Sequence, residues 1–246
     1  MKNLTCALLL AIIPVFAIAQ NQESRNLPSF SKLSVGQSIK LVIEKGNENS
    51  ARIETSGVDA ERVLTEVSGS TLDIRMKKGT YRSTNVNVYL TYKDELEEID
   101  VNSSSSLESN SIVKSNELNV KVSSSAKMEA DIEAREVAIS VSSSARANLE
   151  VSAQSMDVSV NSSGKLELSG STEFHRFRVS SSGKLMAFGL NCEKVKADIS
   201  SSGNAEIYVS EELIAGASSS GKISYRGNPE KVLVDTSSSG KVRKAD

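Results

Sequence analysis

The sequence predicts an all-β fold: a right-handed parallel β-helix, a solenoid of about 19 residues per coil, with N-terminal strands capping it. Three observations predict it. A serine-rich block recurs through the second half of the chain at near-constant spacing. The residues flanking each block alternate apolar and polar. No window carries apolar residues at the 3.6 spacing of an amphipathic helix.

The chain opens on a secretory signal. Lys2 supplies a positive start, Leu4 to Ile18 is almost wholly apolar, and Ala17-Ile18-Ala19 is a small-x-small cleavage pattern, which places the signal at residues 1–19 and the cut before Gln20. That run is too short for a stable membrane span, and no later stretch approaches one, so no integral span is expected. Cys6 follows no apolar run of the kind that precedes a lipidated cysteine, and Cys192 is then the only cysteine left in the exported chain. It reads as a small buried hydrophobe.

Residues 20–29 read as a polar, mobile leader, and residues 30–246 as a single domain. Residues 30–100 carry short strand signals: Ile39-Lys-Leu41-Val-Ile43, Ala51-Arg-Ile53, Leu72-Asp-Ile74 and Val86-Asn-Val88-Tyr-Leu90. Turn signals at Gly46-Asn47, Gly57, Gly69 and Lys78-Gly79 separate them, and Asp59 to Val67 has room for a short helical turn.

Residues 101–246 hold eight copies of a block of the form Val-x-Ser-Ser-(Gly/Ala/Ser), with Ile199, Ala217 and Thr236 in place of Val in the last three. They end at Ser105, Ala126, Ala145, Gly164, Gly183, Gly203, Gly221 and Gly240. Each block is preceded by an alternating strand, such as Val137-Ala-Ile139-Ser-Val141, and followed by another, such as Leu166-Glu-Leu168. Two five-residue strands and their corners fill a 19-residue coil, because a strand of five residues spans about 17 Å. Parallel β crossovers are almost always right-handed, which sets the expected hand.

Carrying the alternation through the block puts Val inward, the next residue outward, and the next inward. That predicts a buried hydroxyl column at Ser103, Ser124, Ser143, Ser162, Ser181, Ser201, Ser219 and Ser238. The Asn102, Ser123, Ser142, Asn161, Ser180, Ser200, Ser218 and Ser237 column is then outward. The blocks read as corner architecture, with a polar recognition face as the functional alternative.

After each bend stands a cation: Lys127, Arg146, Lys165, Lys184, Lys222 and Lys241, interrupted by Ser106 and Asn204. Two residues on lie Glu108, Glu129, Glu167 and Glu206. Like charges about 5 Å apart in water repel by about 0.8 kcal/mol, and the glutamate column offsets this. A solvated charge ladder is one reading. The sharper one is an anion or glycan site around Lys165 and Lys184, where Met186 replaces a Glu and where Asn161, Arg176 and Arg178 are expected nearby.

The rest of the composition narrows the chemistry. A formal charge of -2, from 29 Lys+Arg against 31 Asp+Glu, argues against a nucleic-acid partner. The one histidine, His175, falls in an apolar inward register with Met156 and Val195 and reads as structural. Asp157, Asp198 and Asp235 are spread over non-adjacent coils, not the compact carboxylate pair of a polysaccharide-cleaving β-helix. No Ser-His-Asp set, P-loop, calcium repeat or His/Cys ligand group is legible, so neither a metal, a cofactor nor a catalytic residue is assigned.

The order of features resembles the bacterial head GIN domain family, described as "putative autotransporter adhesin" and otherwise of unknown function. The resemblance rests on Phe30-Ser-Lys-Leu-Ser-Val-Gly-Gln-Ser-Ile-Lys-Leu-Val-Ile-Glu-Lys-Gly46, on Val67-Ser-Gly-Ser-Thr-Leu-Asp-Ile74, on Val86-Asn-Val-Tyr-Leu90 and on Leu96-Glu-Glu-Ile-Asp-Val-Asn-Ser-Ser-Ser105 with the repeats after it. Gly36-Gln-Ser-Ile39 is the nearest stretch to the Gly-Ile-Asn signature. The resemblance implies an exported β-helical protein of the periplasm or cell surface, with adhesion as its role and no established binding residues. Three functions follow as expectations: a non-catalytic envelope or surface module binding glycan or envelope material, a scaffold docking a protein partner, and a polysaccharide-active enzyme.

Overall fold

The structure, a computed structural model, describes residues 21–245. The signal at 1–19, its cleavage point and Cys6 lie outside the described residues. In chain order the strands are β1 Asn21–Asn26, β2 Lys32–Val35, β3 Lys40–Lys45, β4 Ser50–Ser56, β5 Val63–Ser68, β6 Thr71–Met76 and β7 Asn85–Tyr92. Then come β8 Glu98–Val101, β9 Ser106–Ser109, β10 Val113–Val122, β11 Lys127–Val141, β12 Arg146–Val160, β13 Lys165–Val179 and β14 Lys184–Ile199. The last are β15 Asn204–Tyr208, β16 Glu212–Ala217, β17 Lys222–Arg226, β18 Lys231–Thr236 and β19 Lys241–Lys244. One short 3-10 turn, Ala60–Arg62, is the only helical piece among the described residues.

The repeats become coils stacked in parallel. Lys127 pairs with Arg146, Arg146 with Lys165, and Lys165 with Lys184. The long strands bend once. Pairing runs from Lys127 to Ala134, skips Arg135 and resumes at Glu136, and the same skip falls at Gln154, Glu173 and Glu193. At these corners two successive residues face solvent, as Glu173 and Phe174 do. A coil is thus a first leg after the serine turn, a corner, and a second leg into the next turn. The longer spacing between Gly183 and Gly203 is absorbed by a bulge opposite Glu167–Ser169. Inward residues of both legs form one core, with Val158, Leu166 and Phe177 at 0% exposure.

The serine blocks are four-residue turns. The N–H of Gly183 donates to the carbonyl of Ser180, as Ala126 does to Ser123 and Ala145 to Ser142. Both central serines have positive φ: 49° at Ser181 and 62° at Ser182. Two left-handed residues in sequence are the mark of a type I′ turn. The second serine of each turn donates its N–H to the first serine's carbonyl one coil on, as Ser163 does to Ser181 at 3.0 Å, so the turns stack as the strands do.

This corrects the predicted hydroxyl column. Ser103, Ser124, Ser143, Ser162, Ser181, Ser201, Ser219 and Ser238 are exposed. Alternation requires extended backbone, and two left-handed residues break the parity. The inward position after Val is the last of the block: Ser105, Ala126, Ala145, Gly164, Gly183, Gly203 and Gly221 are buried. A Cβ on Gly183 would come within 2.5 Å of the Val160 carbonyl oxygen of the coil before. Ser105 is the one inward serine of the set, and its hydroxyl donates to the carbonyls of Asn102 at 2.6 Å and Val35 at 3.1 Å.

The first half contains a further coil whose turn lacks the serine block. Val35-Gly-Gln-Ser-Ile39 makes the same turn, with φ 59° at Gln37 and 62° at Ser38, and Ser38 N–H bonds to the Ser103 carbonyl. β2 and β3 lie parallel to β8 and β9, with Val35 beside Val101 and Lys40 beside Ser106. The residues nearest to the family signature are therefore a turn of the solenoid. Beneath this coil, β6 and β7 add one more parallel layer. The direction then reverses: β5 is antiparallel to β6, and β4 to β7. β1 pairs antiparallel with β4, Asn21 facing Thr55 and Asn26 facing Ser50. The polar stretch expected as a mobile leader is thus a strand of the cap over residues 21–26.

Candidate functional site

Three surfaces run along the axis. The turn ridge comes first. In each turn the peptide before the first serine points its carbonyl inward to close the turn, so its N–H, on the far side of a trans peptide, points to solvent. The second serine's carbonyl points outward for the same reason. Among the described residues the N–H groups of Ser143, Ser162 and Ser181 have no backbone partner. The ridge therefore presents hydroxyls, amide donors and carbonyl acceptors, repeated every ~4.8 Å. Asn161 opens one of these turns and is half-buried.

The second surface is the first leg. The cation column predicted from the sequence is in register, and Lys165 and Lys184 stand side by side. Among the described residues, none of Lys127, Arg146, Lys165, Lys184, Lys222 and Lys241 forms a salt bridge. The glutamates two residues on leave them unneutralised by contact. Several cations of the second leg do form ion pairs. Lys121 reaches Glu98 at 2.6 Å, Arg178 reaches Asp157 at 2.8 Å and Lys231 reaches Glu212 at 2.6 Å. The hydrogen bond to Glu98 also raises the Lys121 pKa.

Arg176 and Arg178 do not join Lys165 and Lys184. They lie on the second leg of the same coil, beyond the corner at Glu173, and their exposed side of the core is the other one. The five expected residues divide: Lys165 and Lys184 on one leg, Asn161 on the ridge, and Arg176 and Arg178 on the opposite leg.

Arg176 belongs to the third surface, a groove of about 790 Å³ on the second leg. Its floor is the column Asn119, Ala138 and Asp157, where side chains are short. Glu117, Glu136, Ser155 and Phe174 form one wall, and Phe174 is 37% exposed. The sequence reading missed this groove, because its depth comes from residues 19 apart lining up. The signal available was the short Ala138 between Asn119 and Asp157 in the outward column.

The titratable core groups are built for packing. His175 sits between Met156 and Val195, 1% exposed, with its ring 4.9 Å from that of Phe177. Desolvation pushes its pKa down to about 3, and its Nε2 has no partner. Burial raises the Cys192 thiol to about 12, so it stays protonated and unreactive. No group of three or more His, Cys, Asp or Glu side chains suited to a metal occurs among the described residues.

A solenoid with this cap, these turns and this coil length matches a known family model over residues 29–150 and again over 131–229, described as "Putative auto-transporter adhesin, head GIN domain". The chain belongs to that family. No curated protein matches the sequence. Solved structures share this fold. A "putative adhesin" from Parabacteroides merdae superposes with a TM-score of 0.87 at 21% identity, covering 92% of this chain and 96% of that one. A "putative lipid binding protein" from Parabacteroides distasonis gives 0.82 at 23% identity, covering 92% and 97%. A second "putative adhesin" from P. distasonis gives 0.85 at 18% identity, covering 93% and 98%. At such identities the likeness carries the fold alone. Membership of the head GIN family points to a surface or exported location, and among the described residues no helix is long and apolar enough to cross a membrane.

Proposed function

We propose that this head GIN chain is an exported, non-catalytic adhesion module that binds an extended acidic glycan of the envelope or of another surface. The carrying observation is the first-leg cation column, in register from coil to coil and without carboxylate contacts, beside a ridge of free hydroxyls and amides. A linear polymer laid along the axis meets Lys127, Arg146, Lys165 and Lys184 at coil spacing, while its hydroxyls meet the ridge. Many weak contacts at one repeat add up in a way that a single pocket does not. Asn161, Lys165 and Lys184 are the binding residues of this reading. Arg178 is committed to Asp157, and Arg176 serves the groove.

The test is binding of the purified protein to immobilised acidic and neutral polysaccharides. Acidic polymers should be retained, and retention should fall as salt rises. Lys165→Glu with Lys184→Glu should abolish it, and Arg176→Glu should leave it. Loss in Arg176→Glu alone would move recognition to the groove. New reducing ends appearing in the polymer would overturn the non-catalytic reading.

A further inference from the structure

The last described coil has one strand from each leg, and each is hydrogen-bonded on one side only. β18 pairs with β16 and β19 with β17. Every residue of β18 is exposed, Val232 at 40%, Leu233 at 51% and Val234 at 49%. These exposures have two causes. Val232 and Val234 continue the inward columns of Leu213 and Ala215, and no coil among the described residues covers them. Leu233 continues an outward column. Beside it stands Ile214, 39% exposed, where the preceding coils place Asp157, Arg176 and Lys196. An edge kept from pairing carries charge at such positions. Here the outward column turns apolar at the open edge.

The order of residues in β18 is complementary to itself. In an antiparallel pair centred on Leu233, Lys231 faces Asp235 of the second copy, Val232 faces Val234 and Leu233 faces Leu233. Outward residues meet outward ones and inward meet inward, as one continuous sheet requires. We propose that two copies of this chain associate end to end through β18, about a two-fold axis at Leu233. The contact is isologous, so the Lys231–Asp235 pair forms twice. Lys231 bonds Glu212 within its own chain through one N–H and keeps two further donors for Asp235 of the copy. The contact also covers Val232 and Val234, and joins Ile214 and Leu233 to their copies in one apolar strip. So small a contact gives a reversible, concentration-dependent dimer.

Sedimentation velocity of the purified protein, from ~5 µM to ~500 µM, reads the outcome directly. The mass should rise toward twice the monomer value. D235K and K231E should each remain monomeric, with unchanged β circular dichroism, because each sets like charges opposite one another. An equimolar mixture of the two variants should dimerise again, since the two strand-end cations of D235K then face the two strand-end carboxylates of K231E. A monomer at every concentration overturns the proposal. A dimer indifferent to both variants overturns it too, as does a mixture that fails to recover.

Discussion

The two ends of the solenoid use the same strand chemistry and differ in what covers them. At the N-terminal end the first coil is covered by β6 and β7 in parallel, and then by β5 and β4 running the other way. β1 closes the edge over β4 with Asn21-Gln-Glu-Ser-Arg-Asn26, a polar and charged strand that invites no further pairing. Ile53, Leu72 and Val88 there are fully buried. At the C-terminal end Val232 and Val234 stand in equally inward positions and remain exposed. The contrast teaches that in a solenoid the sequence aims a side chain, and the next layer buries it.

Paired substitutions break or sharpen this contrast. Ile53→Ala in the cap should cost about 2–5 kcal/mol, the range for emptying a closed core site. Val232→Ala at the open end should cost less than about 0.5 kcal/mol in the monomer. Urea-unfolding midpoints at low protein concentration compare them, and equal losses would show that the two ends are equally covered.

A group midway between the ends responds to acid. His175 is held neutral by burial, with a folded pKa near 3 against an ordinary 6.5. Between those values the unfolded chain binds the proton and the folded chain does not, so stability falls as pH drops below 6.5. The slope approaches 1.4 kcal/mol per pH unit, about 2–3 kcal/mol by pH 4.5. His175→Met, which continues the Met156 column, should remove that part of the slope in unfolding midpoints measured from pH 7 to 4.5. An unchanged slope would mean that His175 is hydrated in the folded chain.

The turns allow the finest comparison. Asn-Gly suits two left-handed positions better than Ser-Ser, so Ser181-Ser182→Asn-Gly should raise stability by about 0.5–1 kcal/mol. The same exchange at Ser238-Ser239, in the uncovered coil, should gain less. Thermal midpoints of the two variants against the parent decide it.

The legible parts of the fold are those with local causes. Strand alternation placed Val137, Ile139, Val141, Leu166 and Leu168 inward, and all are buried. The 19-residue period put Lys127, Arg146, Lys165 and Lys184 in one column, as the pairing confirms. Alternation failed inside the serine blocks, because two residues with positive φ reverse the chain and restart the count. The period also hid the coil at Val35–Lys40, whose next neighbour, Val101–Ser106, lies across the inserted strands of the cap. For the candidate site, Lys165 and Lys184 were adjacent by period. Arg176 and Arg178 were close in sequence to both, yet the corner at Glu173 carried them to the other leg.

By itself, the sequence determined the all-β class, the coil length, the stacked columns and the family, because repetition at a fixed period lets each coil template the next through backbone hydrogen bonds alone. Only the tertiary structure decided which serines face solvent, which cations are left without carboxylate contacts, that residues 21–26 close the cap, and that β18 keeps an open apolar edge. Each of these depends on what lies one layer away, and that neighbour is set by how the chain returns on itself, not by the residues next along it.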